Sequence, residues 1–245
     1  MRPEIRHPRP QRLTRVLCAA DVRGSGEAVD ALLRAAAEHD VQALALVGDI
    51  SGGGEDRSGE YRSVFRALGR SDLDTYWVPG PSDAPVEDYL REAHNIEVVF
   101  PFLHGVHGTA AFAPGTVLVA GFGGEVDDNP AGARDELRRL RYPRWEVEYR
   151  LKLIGRELSE HEQMLILLFS TPPAHKGRAT AGSEALAELA VTHRARLVVC
   201  GGERGTMLLG RTLVVAPGSV ADGGYAIADL HARTAELAEL PLTRP

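Results

Sequence analysis

Short apolar runs ending in a carboxylate alternate with amphipathic stretches along the first third of the chain. RVLCAAD (Arg15–Asp21) is one such run, which predicts a buried strand feeding a loop. GSGEAVDALLRAAAEH follows, a predicted helix with Ser25 as its cap and Ala28, Leu32, Leu33 and Ala36 on one face. VQALALVGD (Val41–Asp49) is a second strand that again ends in a carboxylate. ISGGGEDRSGE reads as a mobile glycine-rich loop and YRSVFRAL as a helix. DTYWVPGPSDAP is a third strand running into a turn punctuated by proline at Pro79–Pro85. Strand and helix in strict alternation imply parallel strands joined by right-handed crossovers. Loops at the carboxyl ends of such strands converge on one rim, where α/β sheets carry their sites.

The second half has a different texture. IEVV, GTAAFAPG and TVLVAGFGG predict strands with hairpin-like connections. ARDELRRLRYPRWEVEYRLKLIGRELSEHEQ predicts a long helical stretch broken at Pro143. Its Trp145, Tyr149 and Leu153 recur at i, i+4 and i+8, a stripe expected to pack into the core. MLILLFSTPP, ARLVVCGGERG and RTLVVAPGSVADGGYAIADLH add further strands. No linker, repeat or low-complexity block separates the halves, so residues 15–245 are expected to form a single domain. Residues 1–14, rich in arginine and proline, are expected to be a mobile basic arm.

Bulk properties narrow the function. A chain of 245 residues is long enough for one large α/β domain, and 44% hydrophobic and 25% charged content is ordinary for a soluble globular protein. A net charge of −6 gives no basic footprint, so nucleic acid is excluded as an expected partner. No apolar segment approaches the roughly 18 residues that span a bilayer, and the arm lacks the apolar core of a signal peptide. Cys18 and Cys200 each sit inside an apolar run, as buried small hydrophobes do in a reducing compartment. Together these features predict a cytoplasmic protein with no membrane partner. A homo-oligomer is expected, and contact with another protein is open.

The candidate chemistry lies at five strand ends, in order Asp21-Val22-Arg23, Gly48-Asp49, Gly80-Pro81-Ser82-Asp83, Ser170-Thr171-Pro172-Pro173 and Gly201-Gly202-Glu203-Arg204. This order resembles the calcineurin-like metallophosphoesterases, whose loops read D-x-H, G-D, G-N-H-D/E, a lone H, and G-H-x-H. VVAPGSVADGGYAIADL is similar to the closing turn and final strand of that superfamily, while VPGPSDAP, RYPRWEVEYRLK and PAHKG resemble a small bacterial branch of it. The resemblance implies a four-layer α/β/β/α sandwich with two mixed β-sheets. It also implies a pair of divalent ions, bridged by a carboxylate, that orient a hydroxide against a phosphoester.

Carried over position by position, Asp21 and Asp49 match ligands, with Asp49 as the bridge. Arg23 stands where a histidine belongs, Pro81 replaces an amide ligand, and Ser82 replaces the histidine that assists the leaving group. Ser170 replaces another histidine, and Gly202 and Arg204 replace the last pair. The chain is thus identified as a degenerate member in which most metal ligands are gone. Two carboxylates about 4 Å apart repel by about 4 kcal/mol at an effective dielectric near 20, so Asp21 and Asp49 need cations or a proton. Arg23 and Arg204 are expected to supply that charge by direct ion pairing.

Three readings stay open. The first is a pseudoenzyme that kept the fold as a binding or assembly module, with no cofactor. The second is an active phosphoesterase holding Mg or Mn weakly on Asp21, Asp49, Asp83 and Glu203. The third is a metal-free phosphoesterase that uses Arg23, Arg204 and His175. His175 and Lys176 follow the fourth motif and are candidates to face the rim. His104 and His107 in HGVHG have i, i+3 spacing but fall away from the five motifs, where loop surface is expected.

Overall fold

The computed structural model describes residues 12–129, 131–160, 164–176 and 182–241, excepting the side chains of 153 and 156–160. Strand β1 (Arg15–Ala20) leads into helix α1 (Gly26–Glu38), whose first turn is closed by Ser25 Oγ accepting the Ala28 amide at 3.1 Å. Such a cap contributes about 1 kcal/mol. Strand β2 (Ala43–Val47), helix α2 (Arg57–Gly69), strand β3 (Asp74–Trp77), helix α3 (Val86–Val99) and strand β4 (Leu103–Gly105) complete the alternating half. Helix α2 begins inside the stretch expected to be loop, because the Asp56 side chain caps the Gly59 amide.

IEVV is helical and forms the end of α3, in contrast to the strand expected for it. Tyr89, Ala93 and Ile96 pack against the core at helical spacing while Val98 and Val99 stay exposed, so the 3.6-residue period overrides the β-branched composition. The predicted hairpin does form, from β5 (Thr109–Ala113) and β6 (Val117–Phe122). A small parallel pair, β7 (Glu125–Asp127) with β8 (Arg141–Pro143), precedes helix α4 (Arg144–Glu160). The helix therefore lies only after Pro143. Asp135 caps the Leu137 and Arg138 amides as a turn residue, so the stretch ahead of β8 is irregular.

Helix α4 also presents a different face from the one expected. Val147, Leu151 and Ile154 are buried, whereas Trp145 and Tyr149 are 62% and 64% exposed. The Lys152 ammonium lies 3.8 Å from the Tyr149 ring centroid, a cation–π contact on the outer surface. The side chain of Leu153, third member of that stripe, falls outside the described residues.

The remaining elements are β9 (Met164–Phe169), α5 (Glu184–Thr192), β10 (Leu197–Cys200), β11 (Gly205–Leu209), β12 (Thr212–Ala216), β13 (Gly224–Asp229) and β14 (Thr234–Glu239). One sheet has the order β14-β13-β1-β2-β3-β4 and the other β11-β12-β10-β9-β6-β5. Each is mixed: β1 to β4 run parallel beside antiparallel β13 and β14, and β12, β10, β9 and β6 run parallel between antiparallel edges.

Alternation within the strands divides the core into three seams. Val16, Cys18, Ala45 and Val47 meet Ile166, Leu168, Val199 and Val215 between the sheets. Leu17, Leu44 and Leu46 pack under α1, α2 and α3, while Leu165, Leu167, Val198 and Cys200 pack under α4 and α5. The molecule is the expected four-layer α/β/β/α sandwich, held by apolar burial worth roughly 25 cal/mol per Å². Both cysteines are buried and neither forms a disulfide among the described residues. Leu13 lies in the inter-sheet seam and Thr14 bonds Gln42, so the packed chain begins ahead of Arg15. Residues 1–11 of the expected arm lie outside the described residues. Among the described residues no helix is long and apolar enough to cross a membrane.

Candidate functional site

The rim forms where β1, β2 and β3 end beside the ends of β9 and β10. Asp21 and Arg23 both hold positive φ, 54° and 46°, in the left-handed region that side chains other than glycine seldom occupy. This kinks the chain sharply out of β1. The Arg23 amide then donates to the Asp49 carbonyl at 3.1 Å, and the Asp49 amide donates to Asp21 Oδ1 at 3.0 Å. The first two motifs are thereby stitched together by one backbone pair and by the Asp21 carboxylate.

Two glycines permit the approach. Gly48 has φ 83° and a Cβ there would strike Asp21 Oδ1. A Cβ on Gly80 would collide with Asp49 Oδ1 and with the backbone of Gly48 and Asp49. Gly48 is therefore a contact requirement as well as a conformational one, and Gly80, in extended backbone, a contact requirement alone.

Asp49 is held from the third motif. Ser82 donates its amide to Asp49 Oδ1 at 2.9 Å and its hydroxyl to Asp49 Oδ2 at 2.8 Å. Both oxygens of the expected bridging carboxylate are thus engaged by one serine. Burial pushes the Asp21 carboxyl above its ordinary value; the Asp49 amide and the Arg23 charge oppose that rise, while the Asp49 charge adds to it.

Asp83 does not reach the rim. It is fully buried, with Oδ2 accepting the amides of Ile50 and Gly80 at 2.9 and 2.8 Å. Its Oδ1 accepts the Ser51 amide at 2.8 Å and the Tyr61 hydroxyl at 2.9 Å. Burial pushes the Asp83 carboxyl up to about 6 against the pull of its three amide donors. The residue ties the second motif's loop to the third and packs both against α2. The glycine-rich segment is pinned further by Glu60, which accepts the Gly52 amide at 2.8 Å. Neither Tyr61 nor Glu60 stands out in the sequence, where a tyrosine and a glutamate at the start of an amphipathic helix give no sign of this use.

The expected arginine clamp is corrected by the structure. Arg204 turns away from the aspartates: Nη1 meets Glu239 Oε1 at 2.9 Å and Nη2 donates to the Ala238 carbonyl at 2.8 Å. Its aliphatic part lies over Gly218, so β14 and the final turn capture it before it could span the rim. Arg23 is exposed and, among the described residues, makes no ion pair with Asp21 or Asp49; it acts on Asp21 only through the field. The conjectured set of Asp21, Asp49, Asp83 and Glu203 is not a ligand cluster either. Among the described residues no group of three or more His, Cys, Asp or Glu is placed to hold a metal ion, and Asp83 faces inward.

Ser170 stands at the end of β9, its amide donating to the Phe122 carbonyl at 3.3 Å, and the Gly201 amide donates to the Phe169 carbonyl at 3.1 Å. Gly202 packs near Pro172, and Glu203 beside it is exposed. His175 is half-buried and Lys176 exposed beyond the fourth motif.

The two histidines of HGVHG are structural. His104 stacks on Tyr76 in β3, with ring centroids 5.2 Å apart. His107 is walled by Tyr89, Phe122 and Tyr142, and its Nδ1 accepts the Gly123 amide at 2.9 Å. Burial, aided by the nearby Arg150 charge, pushes it down to about 3, so it is neutral and its one lone pair is already used.

Comparison with known proteins places this geometry. Residues 56–240 match the sequence profile of the family described as metallophosphoesterase, calcineurin superfamily. TT1561 of Thermus thermophilus has a crystal structure that superposes with a TM-score of 0.86 at 39% identity, over 93% of this chain and 99% of that one. A dimetal phosphatase from Danio rerio superposes with a TM-score of 0.59 at 13% identity, over 93% and 99%, a likeness of fold alone. Among curated proteins none matches. By both the profile and the Thermus structure, the chain belongs to the calcineurin superfamily of metallophosphoesterases.

Proposed function

We propose that this protein keeps the metallophosphoesterase fold without its dinuclear hydrolytic centre and works in the cytoplasm as a binding or assembly module. The observation that carries this reading is the state of Asp49. A bridging carboxylate spends lone pairs on both ions, and here each oxygen already gives one lone pair to a hydrogen bond from Ser82. Around it the donor set is wrong for divalent transition ions, which favour imidazole as well as carboxylate. Arginine, proline, serine, glycine and arginine stand at the other five positions. These residues do not fit the metal pair of the superfamily.

The two hydrolytic alternatives find less support. A reduced oxygen-ligand site for Mg or Mn needs Asp83, which is buried and saturated by three amides and Tyr61. A metal-free site needs Arg204 on the rim, and that guanidinium is engaged by Glu239 and Ala238. Arg23 alone faces two carboxylates, too little positive charge to hold a phosphate dianion.

Hydrolysis of p-nitrophenyl phosphate and of its bis ester, with excess Mn or Mg, tests the proposal. The expected rate equals the uncatalysed blank. Turnover that disappears with chelator and in Asp49→Asn would overturn it in favour of the reduced site; chelator-resistant turnover lost in Arg23→Ala would favour the metal-free one.

A further inference from the structure

At the end of the second sheet opposite the rim lies an open pocket of about 580 Å³. It forms between the amino ends of β9 and β10, the β11–β12 hairpin turn and the β13–β14 turn. Its size is that of a small-molecule site. Four arginines line it, Arg194, Arg196, Arg211 and Arg233, and among the described residues no aspartate or glutamate does. Met164 and Val191, the latter 52% exposed, give it an apolar wall.

Arg70, Arg91, Arg134, Arg139, Arg141, Arg144, Arg150 and Arg204 each meet a carboxylate. Among the described residues none of the four pocket arginines has an ion-pair partner. Arg23, Arg34, Arg62, Arg66 and Arg138 also lack an ion pair among the described residues, so what sets the four apart is that they share one pocket. Burial and the charge of Arg233 both lower the proton affinity of Arg196, so two of the guanidinium groups share one field. The turns add to the arrangement, since Arg194 and Arg233 hold φ of 51° and 57° beside Gly210 at 63°. Among the described residues no carboxylate compensates this cluster of like charges gathered from three separate turns, which calls for an anion from outside.

We propose that this pocket binds a compact polyanion of the phosphate class, an inorganic polyphosphate or the polyphosphate chain of a nucleotide. Guanidinium forks grip phosphate oxygens in bidentate fashion, and several forks at different angles suit a ligand with more than one phosphate group. A nucleotide would lay its base on the Met164 and Val191 wall, whereas an inorganic chain would use the arginines alone.

Calorimetric titration of the full chain with tripolyphosphate, ATP and oligoglutamate tests the assignment. Saturable one-site binding of tripolyphosphate is expected, weakened about tenfold in Arg211→Ala and again in Arg233→Ala, and unchanged in the rim variant Arg23→Ala. ATP binding tighter than tripolyphosphate identifies the nucleotide as the source, and equal affinity identifies the inorganic chain. Arg211 is exposed in a hairpin turn, so its variant should melt as the parent does and remains informative if Arg233→Ala loses stability. Absence of saturable binding, loss of affinity in Arg23→Ala but not in Arg211→Ala, or tighter binding of oligoglutamate would each overturn the proposal.

Discussion

Asp83 is a fully buried carboxyl that folding holds near a pKa of about 6, against an ordinary value of 3.8. Because the folded value lies above the unfolded one, folding favours the protonated form. Its contribution to stability is fully present below about pH 4 and is lost as pH rises through about 6. At roughly 1.36 kcal/mol per pH unit, the change from 3.8 to about 6 amounts to about 3 kcal/mol. Asp83→Asn removes that titration and adds a cost of its own. The asparagine oxygen can serve one pair of donors, and its NH2 then faces the other pair, leaving an amide such as that of Ser51 without an acceptor. An orphaned amide costs about 1–3 kcal/mol, largely independent of pH. The variant is therefore less stable at acid pH, and its deficit should shrink by about 3 kcal/mol between about pH 4 and pH 7.5. Urea unfolding across that range, in dilute solution because the isoelectric point is 5.9, measures both curves. Parallel curves for the parent and Asp83→Asn would refute the reasoning, since the deficit would then be structural and the carboxyl would titrate at its ordinary value.

Other substitutions probe the same framework. Tyr61→Phe takes one donor from the Asp83 carboxylate, and unfolding at neutral pH should report a loss of about 1.5–3 kcal/mol that diminishes at acid pH. Gly80→Ala drives a methyl into the Asp49 backbone, so thermal unfolding should reveal destabilisation of about 3 kcal/mol or more. Arg204→Ala breaks an exposed bridge to Glu239 and a solvent-facing bond to the Ala238 carbonyl, and its unfolding free energy should change by no more than about 1 kcal/mol. A large loss in that variant would instead support an arginine clamp on the rim.

The order of strands and the five motifs were readable because buried parallel strands are continuous apolar runs that end abruptly at their functional loops. Where composition and period disagreed, period decided: IEVV looks like a strand but continues the Tyr89, Ala93, Ile96 face of α3. The Trp145 and Tyr149 stripe misled for the opposite reason. Two interleaved periodic faces run along α4, and the smaller Val147, Leu151, Ile154 set is the one that meets β6 and β8. At the site, residue identity settled which ligands are missing but not where the replacements point. Arg204 was expected on the rim, yet its long side chain is claimed by Glu239 and Ala238, distant in sequence and invisible to a motif. Asp83 likewise reads as a rim acid until the fold turns it onto the Ile50 and Ser51 amides. The arginine pocket could have been suspected from HRARLVVC and LGRTLVV, where arginines flank the entry to two buried strands. Their convergence depends on β10 and β12 being parallel neighbours.

The account turns on whether Asp49, gripped by Ser82 and deprived of imidazole neighbours, can still organise a metal pair. Elemental analysis of the full chain, purified without chelator from a culture supplemented with Mn, Fe and Zn, measures this directly. The expected content is well below one equivalent of any of these metals per chain, unchanged in Asp49→Asn. Two equivalents per chain, lost in Asp49→Asn, would contradict it.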